Sequence, residues 1–454
     1  VKRRQFLQAP LALPFIASAQ TRNAPNLLLI LADDLGYGDP GCYGQRRIAT
    51  PNLDRLAAAG LRFTGAYAGS AVCAPSRCSL LTGMHTGHCR IRGNRSAAGK
   101  RISLEREDFT LAELLRGAGY RTAAIGKWGV GEAETEGIPT RQGFHRWMGF
   151  LNQDHALHYF PQSLWRDTAE WFPGGNQGMQ QGAYVQDLFV DEALRFLREN
   201  AAGPFFLYLP FTLPHADSER SRKTGDGYVV PDHGIYANEK WDSADRGYAA
   251  MVSRLDADLG RLLDELKRLK LEENTLVIFL SDNGPANEGR HRATFFESAG
   301  RVEGVRLRGH KGQLYEGGIR VPALMRWAGR IQPGTVCDTP WYFPDLMPTL
   351  AELAGLPAPS GLDGQSIVPL LGGGTFSRRN PMYWELAGRT PEQALRDGEW
   401  KLLRFGEGRE LELYHLGRDP GETRNLAGDH PERATAMRAA MNDVRTPSPL
   451  YPLD

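Results

Sequence analysis

Apolar residues along the chain fall into two rhythms. Continuous runs occupy residues 26–31, 122–125, 205–209 and 275–280. Each is strand-sized and lacks the polar alternation of a half-exposed strand, so each predicts a strand buried on both faces. The second rhythm is helical. Residues 110–118 place Leu111, Leu114 and Leu115 on one face, and residues 247–270 carry Met251, Leu255, Leu259, Leu262, Leu266 and Leu269 at helical spacing. Those leucines are core positions with no chemistry of their own. Strands alternating with helices predict an α/β fold, a sheet sandwiched by helices. Ligand groups in such folds gather beyond the carboxyl ends of the strands. The four apolar runs lead into Asp33 and Asp34, Lys127, His215, and Asp282 and Asn283 respectively, so four polar groups are expected to converge on one place.

The pattern breaks at Gly372-Gly373-Gly374. Short segments at 382–385, 400–403 and 411–414 precede a helix over about 431–444, which predicts a small α+β unit with a short antiparallel sheet and one helix. The expected division is a large unit over 21–370 and a small one over 376–454. A chain of 454 residues is too long for one ordinary core, which agrees with that division.

Composition narrows the picture. The formal net charge is +1 with 24% charged residues, which gives no bulk attraction to nucleic acid or anionic lipid. No apolar run reaches the roughly 18 residues of a membrane span, so no stable membrane insertion is expected. At the start, Lys2, Arg3 and Arg4 precede a mostly apolar stretch over 9–19 that ends Ala17-Ser18-Ala19. That order predicts an export signal over residues 1–20 and a periplasmic or secreted protein. Arg3-Arg4-Gln5-Phe6-Leu7 also resembles a twin-arginine signal. The five cysteines are too few for a disulfide scaffold and have no zinc spacing.

Two carboxylates after one strand, and a carboxylate with an amide after another, make an oxygen-only donor set. Hard divalent cations, calcium or magnesium, prefer such a set, although each acid alone fits a capping role equally well. Cys73-Ala74-Pro75-Ser76-Arg77 places a cysteine two residues before a proline. With Pro75 at a helix start, Cys73 lies at the positive helix end, where an anion is favoured, and Arg77 reaches the same spot from one turn on. A buried structural thiol is the plain alternative.

Cys73-Ala74-Pro75-Ser76-Arg77 resembles the signature of the sulfatase family, in which the cysteine is oxidised to formylglycine. Asp33-Asp34-Leu35-Gly36-Tyr37-Gly38-Asp39 is similar to that family's first metal motif, Gly126-Lys127-Trp128 to its second signature, and Ser281-Asp282-Asn283-Gly284 to its second metal motif. Arg308-Gly309-His310-Lys311, then Glu316-Gly317-Gly318, resembles its lysine-bearing segment. The resemblance implies an alkaline phosphatase-like fold with a large, mostly parallel sheet. It implies that Asp33, Asp34, Asp282 and Asn283 hold calcium, or magnesium, with an oxygen of the hydrated aldehyde at position 73. Arg77 supports that hydrate, Lys127 and Lys311 bind sulfate oxygens, and His215 protonates the departing alcohol. The implied partners are a sulfated small molecule or saccharide and a formylglycine-generating or anaerobic maturation enzyme, with no nucleic acid.

One position departs from the family pattern. Lys-Trp-His is its usual second signature, and here Gly129 stands for the histidine. His155 or His158 is the candidate replacement for that base, with a merely structural loop histidine as the alternative. His158, Arg290 and His291 are also candidate substrate contacts. A phosphate- or phosphonate-ester hydrolase, or a silent binder of sulfated glycans, are the competing readings at this level.

Overall fold

A computed structural model describes residues 24–178, 180–286, 300–302, 304–387, 391–406 and 411–453. The export signal expected over 1–20, and Arg290 and His291, lie outside them. In chain order the strands are β1 (Asn26–Ala32), β2 (Leu61–Phe63), β3 (Ala66–Tyr67), β4 (Arg121–Lys127), β5 (Arg146–Phe150), β6 (Leu164–Arg166), β7 (Ala169–Trp171), β8 (Phe205–Pro210) and β9 (Thr275–Ser281). There follow β10 (Arg301–Val302), β11 (Val305–Arg306), β12 (Ala323–Arg326), β13 (Thr335–Cys337), β14 (Trp341–Tyr342), β15 (Met382–Leu386), β16 (Glu392–Asp397), β17 (Trp400–Phe405) and β18 (Glu412–His415).

Ten strands form the main sheet in the order β13-β2-β12-β9-β1-β8-β4-β5-β6-β7. The block from β9 through β1, β8 and β4 to β5 is parallel, and antiparallel pairings begin at β12 on one side and β6 on the other. This is the large, mostly parallel sheet that the family resemblance implies, and its central strands are the apolar runs. Every residue of β1, β8 and β9 is buried, because helices cover both faces. Alternate side chains of β1 enter different cores. Leu28 and Ile30 pack with helices α4 (Val185–Glu199) and α6 (Ser243–Arg268), which follow α1 (Pro51–Ala58), α2 (Cys73–Thr82), α3 (Leu111–Gly117) and α5 (Ser218–Thr224). Leu27, Leu29 and Leu31 pack on the opposite face with α2, α3 and helix Leu346–Leu353. Each leucine buried this way contributes about 2 kcal/mol.

Local chemistry places the helices. Thr110 and Glu113 form a reciprocal capping box that starts α3 where the sequence predicts a helix. Register then brings the strand ends together. Ala32 pairs with Ser281 and Leu31 with Pro210, so the residues following β1, β8 and β9 emerge side by side. The Asp282 amide donates to the Ala32 carbonyl and the Asp33 amide to the Leu213 carbonyl, both at 3.0 Å.

Strands β15 to β18 form a separate antiparallel sheet. Helix Pro431–Asp443 covers one of its faces through Ala434, Met437 and Met441. The other face, including Trp384, Leu403 and Tyr414, shares a core with Tyr67, Ala71 and Ile319 of the larger unit. No helix among the described residues is long and apolar enough to cross a membrane.

Candidate active site

Cys73 is the first residue of α2 and is 1% exposed. Val72 before it is extended, so the chain turns from strand-like backbone directly into the helix. The Cys73 Sγ lies 3.5 Å from Asp33 Oδ1. Ligand atoms of Asp33, Asp34, Cys73 and His215 all lie within 4.8 Å of one another. The polar ends of β1 and β8 therefore meet at the start of α2, and β4, β9 and the turn carrying Lys311 supply the rest.

Arg77 is one turn along α2 and fully buried. Its Nε and Nη2 contact Asp282 Oδ2 at 3.0 and 2.7 Å, and its Nη1 donates to the Lys127 carbonyl. Lys127 Nζ reaches Asp33 Oδ2 at 2.6 Å, and Lys311 Nζ reaches Asp34 Oδ2 at 2.7 Å. Lys311 also lies 3.1 Å from His215 Nε2. The other His215 nitrogen, Nδ1, meets the Ala216 carbonyl at 2.6 Å. A donor at Nδ1 leaves Nε2 facing the cluster. Asp34 adopts φ 65°, a left-handed conformation open to aspartate, and its amide donates to Asp282 Oδ1 at 3.1 Å.

Electrostatics follow from this packing. Burial alone would raise the Asp33 carboxyl, but Lys127, His215, Arg77 and Lys311 together hold it far below the usual carboxylate range. Asp282 goes the other way. Burial and the neighbouring Asp33 push it up to about 7, despite Arg77. Burial pushes the Cys73 thiol up to about 12. Burial and the adjacent Lys311 lower the His215 imidazole. A cysteine held so firmly as a thiol is a poor nucleophile in its unmodified form.

The donor set fits a hard divalent cation. Asn283 Nδ2 is committed to Asp34 Oδ1 at 2.7 Å and to the Gly284 carbonyl at 2.9 Å. Its Oδ1 is buried and has no hydrogen-bond partner among the described residues. That orphaned carbonyl oxygen belongs to a side chain bonded to the Asp34 carboxylate, and the Asp34 amide is bonded in turn to Asp282, a carboxylate pushed towards neutrality. Calcium or magnesium would be held by Asp33, Asp34, Asp282 and Asn283, satisfying the oxygen and relieving the repulsion.

His155 is turned away from this cluster. His155 Nε2 meets the Ser163 carbonyl at 2.9 Å and its ring packs edge-on against Phe150. His158 lies 6.4 Å from His155, ring to ring, and neither is bonded to the cluster around Cys73. Two residues that the sequence did not single out border the site. Asn94 Oδ1 accepts from the Ala74 amide at 2.9 Å, and Gln153 Nε2 donates to the Gly129 carbonyl at 2.8 Å. Gly129 has φ +81°, and a Cβ there would sit 2.9 Å from Gln153 Nε2, so glycine is what lets this amide close on the backbone. No motif marks either residue, because each is bound to a backbone group far away in sequence.

The sulfatase family model matches residues 25–356, and the model for the C-terminal part of N-sulphoglucosamine sulphohydrolase matches residues 310–446. Human arylsulfatase A is 35% identical over 94% of this chain and 89% of its own length. The N-acetylgalactosamine-6-O-sulfatase of Bacteroides thetaiotaomicron is 27% identical, with 94% of each chain covered. The crystal structure of Ps i-CgsB in complex with k-i-k-neocarrahexaose superposes with a TM-score of 0.79 at 26% identity, covering 95% of both chains.

Proposed function

The chain belongs to the sulfatase family, and we propose that it hydrolyses a sulfate ester, that of a saccharide, through an aldehyde made from Cys73. The observation that carries this reading is the setting of Cys73: a helix-initial residue, buried, 3.5 Å from Asp33 and one turn from Arg77. A thiol so hard to ionise gains a role there once it is oxidised to formylglycine and hydrated to a geminal diol.

The residues then divide the work. Lys127 and Lys311 hold the sulfate oxygens and balance charge that builds on the transferring group. Arg77, pinned by Asp282, fixes the diol. One diol oxygen attacks sulfur as the ester S–O bond breaks, and the proton it loses passes by way of His215, whose unprotonated Nε2 beside Lys311 takes it up and gives it to the departing alcohol oxygen. The second hydroxyl then loses its proton to an acceptor, the bond from the aldehyde carbon to the sulfate oxygen breaks, and the aldehyde returns as inorganic sulfate leaves. Serine and cysteine offer no such exit. A bound divalent cation, calcium by the resemblance, would supply a Lewis-acidic centre at the diol. His155, turned to Ser163, enters none of these steps.

The test combines two measurements on protein made with a maturation enzyme. Peptide mass analysis should find position 73 converted, and sulfate should be released from members of a panel of defined sulfated saccharides. Conversion without sulfate release from any saccharide or aryl sulfate would overturn the reading.

A further inference from the structure

A cavity of about 670 Å³ lies between the main sheet and the sheet of β15 to β18. Tyr37, Arg62 and Arg320 wall it on the side of the main sheet, and Arg396 of β16 with Glu399 of the following turn walls the other. Thr64, which also lines it, follows β2, and β2 stands three strands from β1, about 14 Å away. Cys73, Lys127, His215 and Lys311 take no part in its walls.

Its charges do not balance. Arg320 and Arg396 are each 8% exposed, and a guanidinium keeps its proton at any ordinary pH. Arg396 Nε donates to the Gly398 carbonyl at 2.9 Å and its Nη1 to the Tyr67 hydroxyl, both neutral acceptors. The nearby carboxylate, Glu316, is bonded instead to Arg320 at 3.2 Å and Lys401 at 2.9 Å. Nη2 of Arg320 and of Arg396 is bonded to no described residue and is not sealed from the cavity. Aromatic rings tie the cations together. Arg396 and Arg320 lie over Tyr67 at 5.0 and 5.9 Å, Arg320 also over Tyr37 at 5.6 Å, and Arg62 over Tyr43 at 5.3 Å. Arg62 is bonded to no carboxylate among the described residues. With Arg301, four guanidinium groups line the cavity against two carboxylates, Asp338 and Glu399, and Glu399 is 66% exposed and paired with His415 at 3.3 Å.

We propose that this cavity binds a tetrahedral dianion, sulfate or a phosphate group, on Arg396, Arg320 and Arg62. A buried cation with no counter-charge is costly, and an anion here removes that cost. Guanidinium groups present their N–H bonds in a fixed fork that fits the oxygens of such an ion, and an excess of two positive charges matches its charge. Two sources share this chemistry. One is inorganic sulfate, which a sulfatase releases; the other is a small organic phosphate, whose organic part the remaining volume would admit beside Tyr37 and Tyr43. Either ion would be held from both sheets at once, so its binding would stabilise their junction. The site does not draw on the chemistry at Cys73.

Equilibrium dialysis of the full chain against radiolabelled inorganic sulfate and, separately, inorganic phosphate tests this, in chloride buffer of fixed ionic strength. The native protein should bind one ion per chain that excess 4-nitrophenyl sulfate, a ligand for the Cys73 site, does not displace. Arg62→Gln and Arg396→Gln should each weaken that ion roughly tenfold or more, with turnover of 4-nitrophenyl sulfate unchanged. Arg62 makes no hydrogen bond within the described residues, so Arg62→Gln keeps its fold even if Arg396→Gln, which frees Tyr67, does not. Competition by glycerol phosphate at a tenfold lower concentration than inorganic sulfate would support the site with an organic phosphate as its occupant. Equal or better competition by inorganic sulfate would support it with the reaction product as occupant. Equal binding by the native protein and Arg62→Gln overturns the proposal, as does a bound ion that 4-nitrophenyl sulfate displaces completely.

Discussion

Asn283 spends its amide nitrogen on two neighbours and leaves its oxygen buried with no partner among the described residues. An unmet buried carbonyl costs about 1–3 kcal/mol, and a cation at this position offsets it. Added calcium should therefore raise the melting temperature of the native protein, and Asn283→Ala or Asp282→Ala should blunt that rise and lose activity in step. Differential scanning fluorimetry with and without chelator checks it, and a chelated, metal-free enzyme at full rate would end the metal assignment. Cys73→Ala is the companion test. It should reduce sulfate release roughly a thousandfold or more while the melting temperature stays close to native, because the change removes a nucleophile precursor and only one sulfur atom of packing. At this scale the sequence was informative where a residue closes a strand. Asp33, Asp34, Lys127 and Asp282 stand at the ends of apolar runs and could be read there. Asn94 and Gln153 could not, since their partners are the backbone of Ala74 and Gly129.

Among the elements, the central strands were legible because burial on both faces demands continuous apolar runs. Helix α2 was not legible by periodicity. All ten of its residues are buried, Ser76, Arg77 and Ser79 included, so it shows no apolar stripe. Its polar groups are met instead by the ends of other elements, as when Ser76 Oγ donates to the Asp282 carbonyl. The turn after α2 is held by a second polar cluster. The His85 amide donates to Asp363 Oδ2 at 2.9 Å, and His88 Nδ1 meets Asp363 Oδ1 at 2.9 Å. Burial pushes the His85 imidazole down to about 4, overriding Asp363. In the folded state His85 thus binds fewer protons than in the unfolded chain between about pH 6.5 and 4. Its contribution is complete above pH 6.5 and is lost as pH falls to about 4, a change of about 3 kcal/mol. His85→Gln should flatten the acid side of the stability profile across that window, as read by denaturant melts at several pH values. An equally steep acid limb in the variant would show that other groups set it.

For the molecule as a whole, the two sheets are joined by charge as well as by shared core. Lys401 of β17 is fully buried, with Nζ 2.9 Å from Glu316 and 2.8 Å from Glu422. Lys401→Met leaves two buried carboxylates facing each other and should destabilise the protein by about 3–5 kcal/mol. Calorimetry should show one lowered transition, because the core containing Tyr67, Ala71, Trp384 and Tyr414 belongs to both units. Two separated transitions would mean that the sheets unfold independently. This junction was hidden in the sequence, where Lys401 looks like any surface lysine on a short strand. The burial of Cys73 bears on the order of events in the life of the chain. A residue 1% exposed at the root of a buried helix is beyond the reach of another enzyme once the fold has closed. On the proposed chemistry, its conversion is a deadline: it comes before folding, and a chain that folds first is stranded as an inert look-alike. Maturation enzyme added to folded, unconverted protein should leave position 73 a cysteine by peptide mass, while the same enzyme should convert the unfolded chain.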